Sequence, residues 1–227
     1  MLTVVVSCLL VACGGEKTSS SREAPSSLDA SLSYLPEDVP FAVAIDTDLD
    51  AEQVRAVDSI LDRFPVGGSV EELLGRQLEG GDAQIDLEED VEPILGNPLV
   101  VGVTSIETLA GGDQGDDFVA AIQARDGDKL VALIDKMNAE ERGEAGGATM
   151  YEVGDTHFAV EDDIVVFAGS QQLLEDALQR ADGDDHLDEM RFREGLVGSP
   201  EGAAVRVYAN LDALVNLESV IQQLEIE

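Results

Sequence analysis

The chain has 227 residues, enough for one domain or two small ones with a sizeable core, and its 44% hydrophobic content argues against a disordered chain. Asp and Glu number 48 against 13 Lys and Arg, a net charge of −35 that repels nucleic acid and anionic lipid headgroups and opposes compaction through self-repulsion. Aromatics are 4% with no Trp, so the core has to come from Val, Leu, Ile and Ala, and a platform for stacking sugars or nucleobases is not expected.

At the N-terminus, residues 2–12 form an apolar run ending at Cys13, followed by Gly14-Gly15. The run is well short of the roughly 20 residues of a membrane-spanning helix. It has the length and small-residue ending of a secretory signal. Leu10-Val11-Ala12-Cys13 resembles the bacterial lipobox, in which the Cys thiol receives a diacylglycerol and the peptide bond before it is cut. Met1-Leu2-Thr3 lacks the positive charge that opens such a signal, which predicts a start upstream of Met1. The alternative is a buried apolar strand ending in Cys. Residues 14–30 oppose it, because their Ser, Gly and charged composition reads as a linker. The expected organisation is a lipoprotein signal peptide over 1–12, the lipidated Cys13 with a Ser/Gly-rich tether over 13–33, and an acidic domain over 34–227. Cys8 would leave with the signal, so the mature chain keeps no thiol for a disulfide or a metal site. A lipoprotein cysteine normally carries at least two acyl chains, which anchor durably.

From Leu35 onward, strand-like and helix-like patterns alternate. Phe41 to Ile45 reads as a buried strand ending at Asp46-Thr47-Asp48. A helix is predicted from Ala51, with Val54, Val57, Leu61 and Phe64 on one face, stopped by Pro65-Val-Gly-Gly. Ser69 with Glu72 is a capping box that starts a second helix through Leu78. Leu87 to Leu95 reads as a short acidic helix, Leu99–Thr104 as a strand, 110–117 as a Gly/Asp loop and Phe118–Arg125 as a strand. Gly127 to Met137 has helical spacing, and 139–148 reads as a polar loop. Strands near 149–153, 156–161 and 164–169, separated by tight polar turns, predict an antiparallel meander. Ser170 caps a helix, an acidic loop spans Asp182 to Asp188, and a short helix is expected near 188–197. In the strand Ala203–Ala209, Val205, Val207 and Ala209 alternate with Arg206, Tyr208 and Asn210, which predicts the valine face inward. An amphipathic helix follows from Leu211, with Leu214, Leu217, Ile221 and Leu224 on its stripe. Hairpin-like strands mixed with helices predict an α+β fold, a mainly antiparallel sheet with helices packed on one side.

No catalytic residues emerge. Gly169-Ser170 and Gly198-Ser199 lack the Gly-x-Ser-x-Gly spacing of a nucleophile elbow. His157 in a strand and His186 in an acidic loop read as surface residues. Ala44-Ile45-Asp46-Thr47-Asp48 has Asp48 where the aspartic-protease turn needs Gly, which rejects that reading. Asp46, Asp48 and Asp50 have the spacing of the first three ligands of an EF-hand loop. Ala51 and Val57 replace its obligatory Gly and Glu, so the aspartates are a weak metal candidate, and no metal or other cofactor is expected. Only three of the basic residues are Lys. An acid-rich, Lys-poor surface fits either salt adaptation or simple solubility of a tethered domain.

Five phrases stand out along the chain: Tyr34-Leu-Pro-Glu-Asp-Val-Pro40, Leu61-Asp-Arg-Phe-Pro65, Asp86-Leu-Glu-Glu-Asp-Val-Glu-Pro-Ile-Leu-Gly96, Arg191-Phe192-Arg193 and Val205-Arg-Val-Tyr-Ala-Asn-Leu211. Together they resemble an uncharacterised envelope family found mainly in actinobacteria, domain of unknown function 3352. The resemblance brings no catalytic residues. Its members are usually about twice this length, which implies a short form or the first half of a longer protein. The functional expectation is a lipid-anchored, non-enzymatic lipoprotein on the outer face of the cytoplasmic membrane or in the cell envelope. It would touch the membrane through its lipid, bind an envelope protein or component, and bind no nucleic acid. The alternative is a solute-binding or hydrolytic envelope protein.

Overall fold

The computed structural model describes residues 25–48, 85–105, 117–154, 156–196 and 203–213. The expected signal, Cys13, the helices predicted from Ala51 and Ser69, most of the 110–117 loop and the chain beyond 213 lie outside the described residues. Eight strands form one open sheet: β1 (Phe41–Ile45), β2 (Leu99–Val103), β3 (Phe118–Gln123), β4 (Glu140–Ala145), β5 (Ala148–Val153), β6 (Thr156–Glu161), β7 (Ile164–Ala168) and β8 (Val205–Ala209). Their order is β4-β5-β6-β7-β3-β2-β1-β8, and every neighbouring pair is antiparallel. Four α-helices are described with it: α1 (Ser27–Leu32), α2 (Gly127–Lys136), α3 (Gln171–Ala181) and α4 (Glu189–Glu194). The α+β class and the antiparallel sheet stand as the sequence reads.

Side-chain parity along the strands divides the core in two. On the first face, Ala42, Ala44, Val100, Val119, Ala121, Ala159 and Val166 pack under Leu28 and Leu32 of α1, Leu174, Ala177 and Leu178 of α3, and Phe192 of α4. On the second face, Ile122, Phe158 and Val165 pack with Leu130 and Ile134 of α2 and with Ile94. So α1, α3 and α4 share one side, as expected, while α2 lies on the other. The cause is visible in β3, β6 and β7, which carry apolar residues at both parities and so need cover on both faces.

Four local differences from the sequence reading have physical reasons. The chain joins the fold before residue 33. Ser26 caps α1 by accepting from the Asp29 N–H, and Leu28 and Leu32 are buried in the core. Residues 87–95 do not form an α-helix. Asp86 caps a single π-turn, Leu87–Val91, in which the Glu92 N–H donates to the Leu87 carbonyl. Pro93 has no N–H to give the Glu89 carbonyl and cannot continue an α-helix. That carbonyl instead accepts from Lys129 Nζ at 3.5 Å.

Most of the polar loop read over 139–148 is β4, a wholly exposed or half-exposed edge strand paired with β5. Gly146 and Gly147 turn the hairpin at φ 55 and 84, the positive region such two-residue turns require. Finally, β8 is flipped relative to its reading. Its register sets Tyr208 opposite Ala42, so Tyr208 enters the first-face core, while Val205 is 51% exposed.

Candidate functional site

Three phrases that carry the family resemblance hold the fold together. Tyr34 is buried, and its hydroxyl donates to Glu161 Oε2 at 2.7 Å, joining the end of α1 to β6. Burial, and then the bond and charge of Glu161, push the Tyr34 phenol far above its ordinary value. Arg180 of α3 donates to the Tyr34 carbonyl at 3.0 Å, and the Leu187 N–H donates to the Leu35 carbonyl at 3.0 Å. Burial lowers the Arg180 guanidinium below its usual range, against the pull of Asp176 and Asp38. Leu35 sits directly on the backbone of β2: a Cβ at Gly102 would lie 2.5 Å from Leu35 Cδ2. Phe192 of α4 stacks on Tyr208 of β8 at 5.9 Å, and only Gly fits at 195, where a Cβ would come within 2.3 Å of the same ring.

The Asp86–Gly96 phrase does similar work on the second face. Asp90 pairs with Lys136 of α2, and that bond, with the Asp86 N–H, holds the Asp90 carboxyl below its usual range. Arg125 donates its backbone N–H to the Ile94 carbonyl at 2.9 Å.

The candidate aspartates lie where β1 ends. Asp46 Oδ1 accepts from the Asp48 N–H at 3.1 Å in a local turn, while Asp50 lies outside the described residues. Between them, Thr47 Oγ1 donates to the Asn97 carbonyl at 2.7 Å and accepts from the Gly96 N–H at 2.9 Å. The turn is thus tied to the approach to β2. Among the described residues no group of three or more His, Cys, Asp or Glu is arranged to hold a metal ion.

One hollow of about 240 Å³ opens at the β4 end of the first face, lined by Arg142, Met150, Glu152, His157, Gln171 and Leu174 together with Tyr151. Arg142 bridges two carboxylates there, Nε to Glu152 Oε2 at 2.8 Å and NH2 to Glu140 Oε2 at 2.8 Å. His157 Nδ1 stands 4.0 Å from the same Glu152 oxygen, beyond hydrogen-bond reach, and the hydroxyl in the lining is the phenol of Tyr151, whose ring stacks on Phe158. The arrangement can seat a small polar group beside an apolar floor. At under the usual 300 Å³ or so, it is small for a ligand cleft. Sequence reasoning missed Arg142 because its strand was read as loop. His186 is held by the Gly183 carbonyl at 3.0 Å in the acidic loop, away from His157.

No described helix is long and apolar enough to cross a membrane. No curated protein and no solved structure matches the chain. The sequence profile of one family, described as protein of unknown function (DUF3352), matches residues 1–225. By that match over nearly its whole length, the chain belongs to the DUF3352 family.

Proposed function

We propose that this protein is an extracytoplasmic lipoprotein, acylated at Cys13, whose acidic domain serves as a non-enzymatic binding or structural module of the cell envelope. The observation that carries the reading is the order of the N-terminal segment: an apolar run, Leu10-Val-Ala-Cys13, then a Ser-rich stretch that delivers the chain to α1 at Ser26. The charge of −35 supports a domain that stays off anionic headgroups while its lipid does the anchoring. A binding or structural role is supported by how the family phrases are used, since Tyr34, Leu35, Phe192 and Tyr208 all serve internal contacts. Intact-mass measurement on protein extracted from membranes tests the reading. The expected mass is that of a chain beginning at Cys13 with a diacylglycerol and a further acyl group. An unacylated chain that retains residues 1–12 overturns it.

A further inference from the structure

β4 is not a regular edge strand. Its pairing with β5 advances from Glu141 opposite Tyr151 to Gly143 opposite Met150, so Arg142 is the extra residue of a β-bulge. Gly143 carries the bulge at φ 119, in the region that favours glycine, and a Cβ there would meet nothing within 4 Å. Gly143 shares the first face with Met150, its partner across the ladder, so β4 sets no side chain beside Met150. The bulge also re-aims Arg142, whose guanidinium reaches both Glu152 and Glu140. These two features shape the hollow of about 240 Å³, and all of its lining residues are described.

Three kinds of surface meet there. Glu140, Glu152 and His157 form one row across β4, β5 and β6, a polar row on a face whose next row runs Gly143, Met150, Ala159 and Val166. Met150 and Leu174 supply the apolar floor. The two ion pairs engage Nε and Nη2 of Arg142 and leave Nη1, and the Glu152 pair engages Oε2 and leaves Oε1. Gln171, in the first turn of α3, donates its amide to Glu175 at 2.9 Å, which leaves the amide carbonyl. The hollow therefore offers a guanidinium donor, carboxylate and amide acceptors, and apolar ground together. A net anion is opposed by the charge of −35 and by Glu140 and Glu152, and a bare cation meets the Arg142 guanidinium. A zwitterion with a short apolar body meets neither penalty. The volume, below that of clefts for drug-sized ligands, limits the occupant to one small molecule.

We propose that this hollow binds a free α-amino acid with an aliphatic side chain. Arg142 Nη1, with His157 beside it, takes the carboxylate. Glu152 and the Gln171 carbonyl take the ammonium, and the side chain lies on Met150 and Leu174. The site rests on the reading of the domain as a binding module, and not on acylation at Cys13. Titration of the full chain with L-leucine, read by calorimetry and by amide NMR shifts, tests it. Isocaproate, which is leucine without its amine, and isoamylamine, which is leucine without its carboxylate, are the comparisons. The expected result is saturable leucine binding, with shifts confined to β4, β5, the neighbourhood of His157 and the first turn of α3. Each analogue should bind at least about tenfold more weakly, because it loses charge-assisted hydrogen bonds. Arg142→Gln and Glu152→Gln should each lower leucine affinity by about tenfold or more. If either substitution loosens β4, the analogues on the parent chain decide. Absence of saturable binding, shifts centred elsewhere, an analogue that binds as well as leucine, or unchanged affinity in both variants overturns the proposal. None of these results bears on the mass of the membrane-extracted chain, and an unacylated mass would leave the site standing.

Discussion

The two faces of the sheet are built from alternate residues of the same strands, yet they solve the packing problem differently. On the first face the sheet is rich in small residues, Ala42, Ala44, Gly102, Ala121, Ala159 and Ala168 beside Val100, Val119, Val166 and Tyr208, and the helices add bulk in Leu32, Leu174, Leu178 and Phe192. On the second face over β8, β1 and β2 the sheet itself supplies the bulk, in Phe41, Val43, Ile45, Val101 and Val103. A floor of alanine lets a helix come close and be fixed by knobs of its own. A floor of branched side chains holds a helix farther off and needs only a matching apolar stripe. With aromatics at 4% and no Trp, the chain spends one of its few rings, Phe192, on the closed face, stacked on Tyr208.

That contrast sets the order of expected effects. Phe192→Ala removes a fully buried ring stacked on Tyr208 and should cost about 3–5 kcal/mol in urea unfolding. A loss below about 1 kcal/mol would mean that the first face is not the main core. Next comes Tyr34→Phe, which leaves Glu161 without its buried donor and should cost about 1–3 kcal/mol at neutral pH.

The same variant changes the alkaline limb. In the unfolded chain Tyr34 titrates near its ordinary 10.0, and in the folded chain burial and Glu161 keep it protonated far above that. The unfolded state therefore loses the proton first, so stability present below about pH 10 is lost as pH rises further. Tyr34→Phe removes that contribution, and stability measured against pH should fall less steeply above about pH 10 than in the parent, with Tyr208 supplying part of what remains. An unchanged slope would place Tyr34 outside the buried bond.

Smaller effects follow. The Ser31 hydroxyl is fully buried on α1 and finds no hydrogen-bond partner among the described residues. Ser31→Ala should leave stability unchanged or raise it by up to about 1 kcal/mol, and a clear loss in thermal unfolding would reveal a partner. Smallest of all, Val205→Ala at the exposed end of β8 should shift stability by no more than about 0.5 kcal/mol. A loss approaching that of Phe192→Ala would erase the distinction between the two faces.

Much of the fold was legible. β1, β3, β6 and β7 carry enough Val, Ile, Phe and Ala for their period to show, helical spacing gives α2 from Gly127, and Ser170 announces α3 as a cap accepting from Leu173. β4 was not, because Glu-Glu-Arg-Gly-Glu-Ala has no apolar alternation. It is a strand only because Gly146-Gly147 folds it back on β5, and that glycine pair was the signal to read. Its charges and the register shift at Glu141/Gly143 suit an edge that discourages further pairing. β8 was found but turned over, since three valine-face residues outweighed one Tyr in the pattern, whereas pairing with Ala42 selects Tyr208 for the core. The π-turn was decided by one residue, Pro93, inside an otherwise helical stretch. The Cys13 expectation rests on a local signal and was open to the sequence without any fold. The Arg142 hollow was not, because it exists only once β4 is paired.

Adjacent residues on opposite faces give the most direct test of the two-face account. In the Cys8→Ser, Cys13→Ser chain, Val43→Cys and Ala44→Cys are labelled with a thiol reagent, with and without Phe192→Ala. In the parent the thiol at 44, on the closed face, should be protected, and that at 43, half-buried on the second face, should label faster. With Phe192→Ala the thiol at 44 should gain reactivity while that at 43 keeps its rate. Equal rates at the two positions in the parent, or an equal gain at both in the variant, would contradict the two-face account.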